Sequence, residues 1–111
     1  MDIGNLFTKD TADVVITDPV SGKETDLVIT VHSVVSDEYA KALQKHQKRG
    51  KDAAKELLLA DLTVGWKGAK LDGKEYKFST ENAVELYRKS KVVRNQIDIE
   101  LMKGSSFLLN A

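Results

Sequence analysis

The chain contains no cysteine in 111 residues, which excludes a disulfide framework, a thiolate nucleophile and thiolate metal ligands, and suits a reducing compartment. Charge of one sign is missing too: 17 basic and 17 acidic side chains cancel, so no net field draws the molecule toward nucleic acid or anionic lipid. There is one proline, and aromatic residues make up 6% with a single tryptophan. The start, MDIGNLFTKD, has no basic stretch followed by a long apolar one, so neither a signal peptide nor a membrane span is expected. No internal repeat or low-complexity tract is visible.

What is present is enough for one core. Apolar residues are 41% and charged residues 31%, and a chain of this length buries roughly 65% of its unfolded surface in a single domain. Residues 1–12 are polar and small apart from Ile3, Leu6 and Phe7, and read as a flexible arm, leaving residues 13–111 as the domain. Two runs rich in valine, isoleucine and threonine flank Pro19 and Ser21-Gly22, which predicts a hairpin. In the second run Leu27, Ile29 and Val31 alternate with Val28, Thr30 and His32, so one face should be buried. Ser36, followed by Asp37 and Glu38, supplies a capping hydroxyl and two carboxylates at the positive end of a helix that should run to about Arg49. A second helix from Asp52 is expected to end near Gly65, with Leu58 and Leu62 on one stripe and Leu57 beside it. Leu71-Asp72-Gly73-Lys74 reads as a turn inside a loop. Ser79 or Thr80 should cap a third helix, and a fourth is expected from about Val92 to Lys103, stopping at Gly104. The fold class is α+β: a small N-terminal hairpin packed on about four helices.

Signals for chemistry each have a plainer explanation. Residues 68–75, GAKLDGKE, match the first seven positions of the phosphate-binding loop G-x-x-x-x-G-K-S/T, but Glu75 replaces the hydroxyl, and no strand leads in or helix leads out. His32 and His46 lie in different elements with no partner at metal spacing. Asp37 with Glu38 fits a helix start, and Asp98 with Glu100 a solvated helix face. The basic cluster Lys45, Lys48, Arg49 and Lys51 suits the negative end of a helix dipole, with phosphate contact as the rival reading. Trp66, between Gly65 and Gly68, is left without a chemical role. It reads as a structural clasp in which Gly65 permits a left-handed helix ending, Gly68 a sharp departure, and the indole docks the loop ahead of Phe78.

Three blocks carry a family resemblance. The first is VVITDPVSGKETDLVITVHSVVSDEYAKA, with its Pro-x-Ser-Gly-Lys turn and Ser-Asp-x-Tyr helix start. The second is LADLTVGWKGAKLDGKEYKFSTENAVELY, with a Gly-Trp-x-Gly loop and Phe-Ser-x-Glu-Asn opening a helix. The third is VVRNQIDIELMKGSSFL, a helix closing in a segment with phenylalanine. In order and spacing they resemble the tail assembly chaperones of long-tailed bacteriophages and prophages. Arg88-Lys89-Ser90-Lys91 departs from the acidic residue and proline usual in that family between the last two helices.

The resemblance implies a non-catalytic protein without cofactor or metal, acting in the host cytoplasm and absent from the mature virion. It implies binding to the tape measure protein and recruitment of the major tail (tube) protein, the latter mainly through a longer form made by ribosomal frameshifting. A homo-oligomer is expected, with no nucleic-acid or membrane partner. Leu6, Phe7, Phe107, Leu108 and Leu109 are apolar residues without evident internal pairing and are the candidate partner contacts. The alternative is a small nucleic-acid-binding regulator using the basic 45–51 cluster.

Overall fold

A computed structural model describes residues 1–103 and 107–109. Strands β1 (Thr11–Thr17) and β2 (Glu24–His32) form the antiparallel hairpin, with Val14 opposite Ile29 and Ala12 opposite Val31. The Asp18 carboxylate closes the turn by accepting from the Val20 amide at 2.8 Å, an Asx turn that leads into Pro19 and Gly22. Helices α1 (Asp37–Lys48), α2 (Lys55–Leu62), α3 (Thr80–Lys89) and α4 (Lys91–Met102) follow. The architecture is α+β, a hairpin followed by four helices.

Three of the four helices start on a serine cap, whereas α2, expected from Asp52, begins only at Lys55 after Ala54, without a side-chain cap. The Ser36 hydroxyl accepts from the Tyr39 amide at 3.2 Å, Ser79 from Asn82 at 3.0 Å, and Ser90 from Val93 at 3.2 Å, each satisfying an otherwise orphaned donor of the first turn. The last cap starts α4 one residue earlier than the apolar pattern suggests. The stop expected at Gly104 lies outside the described residues.

One core joins the layers. The inward face of the hairpin (Val14, Ile16, Ile29, Val31) meets Leu59 and Leu62 of α2, Tyr87 of α3, and Ile97 of α4. On α2 Leu59 and Leu62 are fully buried, while Leu57 and Leu58 are half-buried. Of the expected stripe of Leu58 and Leu62 with Leu57 beside it, Leu62 is buried as expected, and Leu59 takes the place of Leu58.

Two further expectations are corrected. The second helix does not run to Gly65: it ends at Leu62, and Thr63–Lys67 form a third strand, β3, paired antiparallel with β2. β-Branched Thr63 and Val64 with Trp66 favour that extended geometry. Gly65 therefore sits in a strand, outside the left-handed region, and does not cap a helix. The boundary drawn after residue 12 also moves, because β1 begins at Thr11 and Ala12 belongs to the core. The arm itself carries a 3-10 helix, Ile3–Leu6, and pairs with the tail: the Lys9 amide donates to the Phe107 carbonyl at 2.8 Å and the Leu109 amide to the Phe7 carbonyl at 2.7 Å.

Candidate functional site

Trp66 projects from β3 on the side of Ile29, its partner in register. Its indole stacks on Tyr76 with ring centroids 5.9 Å apart and meets Phe78 edge-on at 5.1 Å. Indole Nε1–H donates to the Tyr76 carbonyl at 2.7 Å. Tyr76 and Phe78 stand two residues apart in the segment that follows the short strand Lys74–Glu75, and both rings reach the indole. Their alternation is the sequence signal for this aromatic group.

Between Trp66 and Tyr76 the chain makes a tight hairpin, β4 (Lys70–Leu71) and β5 (Lys74–Glu75). Asp72 and Gly73 both have positive φ, 53° and 80°, as a two-residue Asp-Gly turn matched to strand twist requires. This segment, read as a phosphate-loop lookalike, thus forms a hairpin. Gly68 fixes its base: φ is 79°, and a Cβ there would run into the Asp26 carbonyl.

The hairpin stands away from α3, and a cleft of about 310 Å³ opens between them. Leu27, Ala69, Leu71, Leu86 and the Tyr76 ring supply apolar walls; Lys70, Glu85 and Lys89 are its charged groups. The Tyr76 hydroxyl donates to Glu85 Oε1 at 2.8 Å. Partial burial and the Glu85 carboxylate push the Tyr76 phenol up to about 12, so it remains a hydrogen-bond donor at neutral pH.

No protein-family model, curated protein or solved structure matches this chain.

The candidate partner residues separate into two kinds. Phe107 is 1% exposed and belongs to the core, so its ring is not available to a partner, and Leu108 is half-buried. Leu6, Phe7 and Leu109 are exposed, at 56%, 53% and 55%, and the arm–tail pairing brings Phe7 and Leu109 together. That pairing joins opposite chain ends, which no local pattern in the sequence reveals.

The other polar candidates mostly have structural partners. Arg49 donates to Asp61 at 2.7 Å and to His46 Nδ1 at 3.0 Å, and Lys45 lies 3.6 Å from Asp61. Half of the basic cluster is thereby directed to α2, which weakens it as a phosphate surface. Asp98 pairs with Lys55 at 3.0 Å and Glu100 with Lys103 at 3.2 Å. The two histidines lie on β2 and α1, and among the described residues no group of three or more His, Asp or Glu side chains could hold a metal ion.

Proposed function

We propose that this chain is a non-catalytic tail assembly chaperone: it covers apolar surface on the tape measure protein, keeps that rod soluble, and helps bring tail tube subunits to it. It is the shorter product of a frameshifted pair and works in the host cytoplasm. The observation that carries the reading is the exposure of Leu6, Phe7 and Leu109 on paired termini. Large apolar groups left together in water suit a protein partner better than a small polar substrate. The hairpin-then-helices order agrees with the three blocks of resemblance. A helical rod awaiting its tube exposes apolar stripes, and several weak contacts from an oligomer can cover them reversibly.

The test is co-expression with the tape measure protein, which the family resemblance implies is the product of the gene immediately downstream. Wild-type chain should raise that product's soluble fraction and co-purify with it. Combined Leu6→Asp, Phe7→Asp and Leu109→Asp substitutions, all at exposed positions, should reduce co-purification at least tenfold while the circular dichroism spectrum stays unchanged. Equal co-purification by this variant would remove the paired termini from the account.

A further inference from the structure

We infer that the cleft between the β4–β5 hairpin and α3 is a docking groove for a single amphipathic helix whose apolar stripe is bordered by acidic side chains. The inference rests on the chaperone reading and adds to it the chemistry of the client segment and a second contact surface, built from different residues than the paired termini.

The groove is preformed. Gly68 lies against the Asp26 carbonyl, Trp66 stacks on Tyr76, and the Tyr76 amide donates to the Ala69 carbonyl at 2.9 Å. These contacts hold the hairpin in place before anything binds, which lowers the ordering cost of association. Its volume is at the lower end of the roughly 300–1,000 Å³ typical of ligand sites, room for more than one aliphatic side chain. Leu71 lines it while remaining 55% exposed on a two-residue strand. A leucine there does little for the core, but it completes an apolar trough with Leu27 and Leu86 along one side of α3. An open trough walled by a helix and a hairpin suits the apolar face of another helix.

Charge selects the borders of that helix. Of the three charged groups in the groove, Glu85 is already engaged, by the Tyr76 hydroxyl at 2.8 Å and loosely by Lys89 at 3.8 Å. Lys70 makes no ion pair among the described residues, and Lys89 is 74% exposed. Lys74 adds a further cation directly across the hairpin from Leu71. Lys70 beside the apolar walls, Lys89 with only the long contact to Glu85, and Lys74 from across the hairpin thus attract carboxylates and repel a basic helix.

The test uses the full chain and two synthetic helical peptides with leucines at i, i+3, i+4 and i+7, one flanked by glutamates and the other by lysines. Emission from Trp66, stacked on the groove residue Tyr76, is the readout. The glutamate peptide should change it saturably and bind at least tenfold more tightly than the lysine peptide. Leu71→Asp should weaken binding at least tenfold, and Lys70→Glu with Lys89→Glu should reverse the preference between peptides. Thermal midpoints check folding, and Leu71→Thr, which keeps a strand-forming residue, serves as a second variant that should also bind more weakly. The inference is overturned by no saturable change, by equal affinity for the two peptides, by unchanged affinity in both Leu71 variants, or by emission that follows self-association of the chain instead of peptide. The two readings fail separately. Peptide binding without any interaction with the tape measure protein would refute the chaperone function, whereas client binding indifferent to Leu71→Asp would refute the groove.

Discussion

Tyr87→Ala is expected to destabilise the protein by about 4 kcal/mol, at the scale of large aromatic deletions in cores, whereas Tyr87→Phe should cost about 1 kcal/mol. Tyr87 is fully buried between the hairpin and the helices, and its hydroxyl lies 2.6 Å from Thr63 Oγ1. Thr63 gives its one proton to the Leu59 carbonyl at 2.8 Å, so Tyr87 is the donor in a short chain that ties α3 to the junction of α2 and β3. Alanine removes the ring and leaves a cavity; phenylalanine removes only one link. Since a domain of this size has a total stability of about 5–15 kcal/mol, the alanine variant should be mostly unfolded in mild denaturant. Urea titration measures both, and a loss under 1 kcal/mol for Tyr87→Ala would contradict the position given to this ring.

The same burial sets a pH dependence. Burial pushes the Tyr87 phenol up to about 12 from an ordinary 10, with the Thr63 hydrogen bond acting in the opposite direction. Between these values the unfolded chain has lost the proton and the folded chain keeps it. Stability is therefore intact below pH 10 and falls as pH rises toward 12, by about 1.4 kcal/mol per pH unit from this group. Tyr87→Phe should flatten that part of the curve. Tyr76 acts in the same direction, more weakly because solvent screens it.

Gly68→Ala is the second large effect, at about 3 kcal/mol, and Gly65→Ala is its control. At Gly68 a Cβ would meet backbone atoms of Asp26, which cannot rotate away as a side chain would, and φ is 79°. Left-handed strain and overpacking each cost about 1–3 kcal/mol. At Gly65 the backbone is outside the left-handed region and nothing lies within 4 Å of an added Cβ. There alanine should be neutral or slightly stabilising, since glycine in a strand interior loses about 0.5–1 kcal/mol of chain entropy relative to alanine. Thermal melts of the pair decide the point: equal losses would mean that the two glycines do the same work and that the strand assignment fails.

That contrast also marks how far the sequence can be read. Ser36 and Ser79 as caps, the alternation of Leu27, Ile29 and Val31, and the Asp72-Gly73 turn are local statements, each set by a few neighbouring residues, and all are found in the fold. Gly65 misleads because a glycine after a leucine-rich helix has the look of a helix end. Only pairing with β2, about 35 residues earlier in the chain, makes Thr63–Lys67 a strand. The same limitation hides the burial of Phe107 and the pairing of Phe7 with Leu109. It hides the groove as well, since Leu27, Leu71 and Leu86 come from three separate elements. Trp66 and Phe78 are brought into contact, but through a strand edge and the Tyr76 stack and not through a helix end.

The most direct measurement of the central claim is the association of purified wild-type chain with the product of the downstream gene at low and at high salt, beside duplex DNA as competitor. Burial of apolar surface predicts a complex that persists at high salt and ignores DNA. No association at either salt, or binding to DNA that weakens steeply with salt, with a slope near the four charges of Lys45, Lys48, Arg49 and Lys51, would contradict it.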